Sequence, residues 1–467
     1  MAVDPDPATE LELAAEADRR ARAYLAGIGN RRAFPDPAAI EALTAFDEPL
    51  PATGASAADT IAMLDSYGSP ATVASNGPDY YGFVIGATLP VAAAAERLAI
   101  AWDQCASSFD NSPAADRIEA VAARWILEIL DLPRASAVNF GTSATACGIA
   151  CLAAARRELL ARSGWDIDRR GLAGAPRVRV VVSELVHITV KKSLRVLGFG
   201  LDDLTVAPVD AHGRIDPKRL PPLDGATMIC LQAGEVNTGE FDPFAAIVDR
   251  AREAGSWVHV DGAFGLWARA SGNLRSLTDA VDRADSWTVD AHKWLNTPYD
   301  GAMAIVRDAA ALAGAMNSDA AYSAAAADSQ KNLGLEFSRR ARGIAIWAAL
   351  RSLGRDGVEQ LVDEHCRLAR RLAHGLEAMG FERLNRTCLN QVLVRLPDDR
   401  STRALREQII ADGEIWFGAS VWQGRPAWRL SLSSWRTDDA AIDRALSVIG
   451  RQLCKRGIHR GNSNPFL

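Results

Sequence analysis

With 467 residues, 48% of them hydrophobic and 24% charged, the chain can bury a core for two or three domains, which excludes disorder as its main state. A formal net charge of -6 leaves no basic footprint for nucleic acid or an anionic membrane. The nearest approach to a membrane span, Leu89 to Trp102, is interrupted by Glu96 and Arg97, so none is expected.

The opening Met-Ala-Val-Asp-Pro-Asp-Pro has neither a positive n-region nor an apolar core, so a cytoplasmic location is expected. Seven scattered cysteines without a CxxC pair read as free thiols, and the seven histidines show no HExxH spacing, which disfavours a metal centre. Residues 1–78 read as helices joined by links around Pro35, Pro37, Pro49 and Pro51. Such a segment buries little alone and is expected to pack on another domain or on a partner subunit.

From about Tyr80 strand-like and helix-like runs alternate, the pattern of an α/β layer, which sets a large domain at 79–350. Candidate strands are Ala137–Phe140, Val178–Val182, Thr227–Leu231, Trp257–Val260, Trp287–Val289 and Met303–Val306. The aromatics Tyr80, Tyr81, Phe83 and Trp102 suit either an apolar pocket or plain core.

Asn139-Phe-Gly-Thr-Ser-Ala-Thr-Ala-Cys-Gly148 follows the first of these strands and opens a helix to about Leu160. A turn through Gly141, Thr142, Ser143 and Ala144 at a helix N-terminus offers backbone N–H groups and a positive dipole end to a phosphate. A simple Ser/Thr N-cap explains the same residues. His187, just past the second strand, can stack on a flat cofactor or exchange a proton with it, or serve as a structural histidine.

The densest signal is Trp257-Val-His-Val-Asp261 followed by Asp285-Ser-Trp-Thr-Val-Asp-Ala-His-Lys293-Trp294. Both halves read as buried strands whose carboxyl ends carry Asp261 and, just beyond the second, Lys293. In an open α/β sheet that edge is where ligands bind. An Asp for a pyridinium nitrogen and a Lys able to form a Schiff base are the minimum equipment for pyridoxal phosphate (PLP) chemistry. Asp290 and His292 are placed to steady the cofactor phosphate or the lysine, with strand-end capping as the competing account.

Residues Ala309–Ala327 are poor in bulky side chains and are expected to form a mobile surface segment carrying the single aromatic Tyr322. A long helix is expected from Gly343 to Leu353, and residues 351–467 read as a smaller C-terminal α+β domain. Glu235 could meet a cationic substrate or belong to a turn. Arg339, Arg340 and Arg429 could bind a carboxylate or phosphate, or form ion pairs.

Taken together, the glycine-hydroxyl loop, His187, the His259-Val-Asp-Gly-Ala263 segment and the Asp290-Ala-His-Lys-Trp-Leu295 block resemble the group II PLP-dependent amino acid decarboxylases. The resemblance runs from about Tyr80 to Trp347. It implies the type I PLP fold (aspartate aminotransferase-like), with a mainly parallel seven-stranded sheet, a smaller C-terminal domain, and a homodimer that shares its active sites. It further implies that Lys293 carries the cofactor and that Asp261 pairs with the ring nitrogen. Ala263 and His187 would lie on opposite ring faces. Ser143, Ala144 and Asp290 fall at the phosphate, and Phe83 and Ile85 in the substrate pocket. Tyr322 matches a loop tyrosine that protonates the substrate carbon. The activity implied is decarboxylation of an L-amino acid to its amine. The alternatives are oxidative conversion to an aldehyde, another PLP reaction, or a non-catalytic binding protein on the same fold.

Overall fold

In this computed structural model the structure describes residues 7–317, 326 and 328–456. The twelve strands are β1 (Tyr80–Tyr81), β2 (Ala137–Gly141), β3 (Arg179–Ser183), β4 (Thr205–Ala207), β5 (Thr227–Gln232), β6 (Trp257–Asp261), β7 (Ser286–Asp290), β8 (Ala302–Val306), β9 (Glu382–Arg383), β10 (Gln391–Arg395), β11 (Trp416–Trp422) and β12 (Arg425–Ser431). Seven of them form one sheet in the order β2-β8-β7-β6-β5-β3-β4, in which only β8 runs against its neighbours. This is the mainly parallel seven-stranded sheet that the resemblance implied.

The β-branched runs of these strands are buried on both faces, as a helix-covered parallel sheet requires. Val258, Val260, Ile229, Leu231, Trp287 and Val289 pack into the larger core, which also takes in Ile126 and Leu130. The alternate positions, Met228, Cys230, Trp257, Ala302 and Ala304, face a second core with the Ala144–Arg162 and Ile188–Val196 helices.

The second sheet has the order β1-β11-β12-β10-β9, and a third core fills the space between it and its helices. Tyr80–Tyr81, expected with the large domain, is hydrogen-bonded into this smaller sheet, parallel to β11. The Arg342–Ala378 helix, expected to stop at Leu353, is continued past a bend at Gly354, whose φ is 63°. It thereby spans both cores.

Expectation and structure part at Ala309–Ala327. Ala309–Met316 is a helix, capped by the Asp308 carboxylate on the Ala310 N–H, with Ala311 and Leu312 buried in the second core. The cap and a face of small residues fitting closely against a neighbouring helix supply what bulk does not. Tyr322 lies outside the described residues.

Candidate active site

Three adjacent strands of the large sheet end in polar side chains on one face. Gln232 (β5) is in register with Asp261 (β6), and Asp261 with Thr288, two residues before Asp290 (β7). Side chains alternate along a strand, so Gln232, Asp261 and Asp290 share the face covered by the Ala144–Arg162 and Ile188–Val196 helices. Both helices begin at this edge.

The first helix starts with Ser143, whose Oγ accepts the Ala146 N–H. A side chain at Gly141 would meet Cys147 Sγ at 2.8 Å, so the turn into that helix needs glycine. Asp290 joins its first turn to the lysine: Oδ1 accepts the Ala144 N–H at 2.7 Å and Oδ2 lies 3.0 Å from Lys293 Nζ. The Ala144 donor, expected to serve a phosphate, is therefore taken by Asp290. Thr142 and Ser143 remain half-buried beside it.

Ala263 sits between the two carboxylates, donating its N–H to Asp261 Oδ1 at 3.2 Å and accepting the Asp290 N–H at 2.8 Å. His187 caps the second helix, with Nδ1 2.7 Å from Thr189 Oγ1 and accepting the Thr189 N–H. Burial holds its pKa below the ordinary value, with Asp261, Lys293, Arg429 and Asp290 the charges it senses. With Nδ1 engaged as an acceptor, neutral His187 carries its proton on Nε2. His292 is held likewise: Nδ1 accepts the Gly301 N–H at 3.1 Å, the ring stacks on Tyr299 at 4.3 Å, and burial lowers its pKa.

The lysine turn is clamped to the small domain. Buried Asn296, at φ 56°, donates to the carbonyls of Trp294 (2.7 Å) and Ser433 (2.9 Å) and accepts the Trp435 N–H (2.9 Å). Trp294 Nε1 donates to His365 Nδ1 at 2.8 Å, and His365 Nε2 donates to the Ser434 carbonyl at 2.9 Å. A side chain at Gly86 would run into the Lys293 carbonyl, so the loop carrying Phe83 and Ile85 lies directly against the lysine. Phe83 and Val84 both have left-handed backbones, at φ 53° and 59°, a strained pairing that leaves Phe83 half-exposed against Trp416. Trp416 stacks in turn on Tyr80 at 5.0 Å.

The candidate arginines separate. Arg339 forms a fully buried pair with Glu119 at 2.6 Å and also binds the Ala106 and Phe140 carbonyls, so it is structural. Arg340 pairs with Glu96. Arg429, on β12, has a buried Nε without a hydrogen-bond partner among the described residues and contributes to the field at His187. Glu235 is committed to a turn, its carboxylate accepting from Asn237 and Thr238, so it is not available to a cationic substrate.

Among known families, residues 70–394 match the pyridoxal-dependent decarboxylase conserved domain. The chain belongs to that family. Its cofactor is pyridoxal phosphate, and its relatives are carboxy-lyases. It is 30% identical over 305 residues to tryptophan decarboxylase 1 of Oryza sativa, covering 59% of this chain and 58% of that one. It is 27% identical to L-2,4-diaminobutyrate decarboxylase of Rhizobium meliloti, covering 77% and 74%. Phenylacetaldehyde synthase of Petunia hybrida is 23% identical over 80% of each chain. The fold matches an Oryza sativa TDC structure with PLP and tryptamine at a TM-score of 0.89 and 22% identity, covering 97% of this chain and 99% of that one.

The residues present suit the cofactor. An acid at a buried strand end, an amine within the same edge, and a helix N-terminus bearing the Thr142 and Ser143 hydroxyls meet the needs of a ring nitrogen, an aldehyde carbon and a phosphate. Sequence reasoning did not single out Gln232, Asn296, Tyr299 or the Trp294–His365 bond. Only Gln232 had a local signal, as the last residue of a strand beside Asp261.

Proposed function

We propose that the chain releases the α-carboxylate of an L-amino acid as CO2 and frees the amine. Lys293 carries the cofactor covalently, Asp261 pairs with its ring nitrogen, and Thr142 and Ser143 with His292 hold its phosphate. The observation that carries this reading is the Lys293–Asp290–Ala144 link at the carboxyl edge of the large sheet, with Asp261 at the end of the neighbouring strand. When bound, the cofactor supplies an electron sink for the pair left as the C–C bond breaks.

The chain's own groups do the rest. Asp261, anchored by the Ala263 N–H, keeps a proton on the ring nitrogen. Asp290 holds the Ala144 end of the helix and the Lys293 ammonium, steadying both before the cofactor arrives. Ala263 and His187 would flank the ring, and His187, with Nδ1 engaged by Thr189, would have its Nε2 proton to give. Tyr322 serves as the second proton source. Arg429 anchors a substrate carboxylate, its unshared Nε supporting that role. The Phe83–Trp416–Tyr80 stack beside the lysine loop favours an aromatic or large apolar side chain, with Phe83 and Ile85 lining the pocket.

The working form is a homodimer in a reducing cytoplasm. Support comes from the Pro7–Gly27 helix, where Leu11 is 70% exposed, from Leu50 at 97%, and from Ile100 and Trp102 on a second exposed helix. The seven cysteines are all free. No helix among the described residues is long and apolar enough to cross a membrane.

The test is aerobic incubation of cofactor-loaded protein with pooled L-amino acids, following CO2, amine, aldehyde and peroxide together. Equal CO2 and amine without peroxide supports the proposal. Aldehyde with peroxide supports the oxidative alternative, which the similarity to phenylacetaldehyde synthase favours. Absence of CO2 with every amino acid refutes both.

A further inference from the structure

We infer that Gln232 is a further cofactor contact, its carboxamide donating a hydrogen bond to the oxygen on the cofactor ring. This rests on the placement of Asp261 and the Ser143 turn given above. Gln232 is 5% exposed, yet its Nε2 has no hydrogen-bond partner among the described residues. Its backbone, by contrast, is fully engaged: the N–H donates to Asp242 Oδ2 at 2.7 Å and the carbonyl accepts the Asp242 N–H at 3.0 Å. The residue is thus held rigidly while its side chain offers an unused donor. Buried donors are rarely left so, because the lost hydration is not returned.

The direction of that donor follows from the sheet. Gln232 is the register partner of Asp261, so the two side chains project from one face, on strands about 4.8 Å apart. Asp261 does not absorb the carboxamide; its Oδ1 accepts from Ala263 instead.

The order of groups along the edge supplies the rest. On the β7 side stand Asp290, bonded to Ala144, and the turn expected to take the phosphate. Asp261 on β6 comes next and Gln232 on β5 last. In pyridoxal phosphate the phosphate arm and the hydroxyl oxygen lie on opposite sides of the line from the ring nitrogen to the aldehyde carbon. With the phosphate toward β7 and the nitrogen at Asp261, the oxygen falls on the β5 side. A glutamine there, one methylene longer than the neighbouring aspartate, can donate where a carboxylate would repel the oxygen's negative charge.

A donor at that oxygen shares its charge and loosens the proton held between it and the Lys293 nitrogen. Removing the donor strengthens that hold. The test is a pH titration of the visible band of cofactor-loaded protein, with a cofactor dissociation constant measured in parallel. Gln232→Leu is expected to raise the titration midpoint by about one pH unit, the scale of one hydrogen bond to a charged group, and to weaken cofactor retention about tenfold. Gln232→Glu, of the same size, is expected to move the midpoint up at least as far. Gln232→Asn serves where the leucine variant does not fold, with an upward shift of smaller size expected.

Asp261→Asn is the control for the underlying reading and is expected to perturb the band independently. If the Gln232 variants titrate like the parent while Asp261→Asn does not, the Gln232 contact is refuted and the site reading stands. If Asp261→Asn also titrates like the parent, both fail.

Discussion

The Trp294–His365–Ser434 chain makes a quantitative prediction about acid stability. His365 is fully buried, accepts from Trp294 through Nδ1 and donates to the Ser434 carbonyl through Nε2, so the fold holds it neutral. Burial pushes its pKa from 6.5 down to about 4. As pH falls below 6.5 the unfolded chain takes up this proton first, so the folded state loses stability until about pH 4, where both states are protonated. At about 1.4 kcal/mol per pH unit, that interval amounts to about 3 kcal/mol. His259, also lowered to about 4, adds a loss of the same sign, while Asp242, buried and raised to about 7, gains stability as pH falls. The absolute profile mixes all three, so the informative quantity is the difference from His365→Gln.

Glutamine keeps a donor for Ser434 but has no acceptor at the Nδ1 position that receives the Trp294 indole N–H, costing about 1–3 kcal/mol at pH 7. The variant lacks the titration, so its deficit is expected to shrink, and to vanish or reverse, by about pH 4.5. Urea unfolding of cofactor-saturated protein at half-unit pH steps measures it. Parent and variant curves that stay parallel from pH 7 to 4.5 would falsify the claim that His365 is a buried neutral histidine.

Lys293→Ala is expected to abolish the visible band of bound cofactor and lower turnover at least about 10³-fold; a variant retaining both would remove the lysine from its role. Arg429→Met is expected to raise KM for the amino acid about 10- to 100-fold, the worth of one charge-assisted pair, while inhibition by the product amine is unchanged. Equal weakening of amine and amino acid would argue instead for a disturbed β12. Asp290→Asn keeps an acceptor for the Ala144 N–H but removes a negative charge beside the phosphate turn, so cofactor is expected to bind as tightly or tighter. A tenfold weaker dissociation constant, read from the visible band, would show that the Lys293 ion pair outweighs that repulsion. Phe83→Ala is expected to raise KM more for aromatic than for small amino acids, which a competition assay with paired substrates reads directly.

Local pattern made much of this protein legible. The Val- and Trp-rich runs at 257–261 and 286–290 had to be buried strands, and a strand's carboxyl end is where an open α/β sheet presents its chemistry. Asp261, Lys293, His187 and the Ser143 turn could therefore be chosen from short stretches of sequence. The helix at Ala309–Met316 had a local signal too, in the Asp308 cap, but the want of bulky residues concealed it. What sequence did not show depends on contacts across long separations. Tyr80–Tyr81 is too short to declare itself a strand and exists only because β11 offers it an edge, over 330 residues away. His365 looks like any helical histidine until folding brings it to Trp294, and Arg429 like any strand arginine until its Nε is buried without a partner among the described residues. Neighbours a few positions apart are enough to set the alternation of elements and the residue types at the strand ends, so both can be read along the chain. Which donors are satisfied and which remain free is settled only on folding, because a hydrogen bond's partner is set by where distant segments meet.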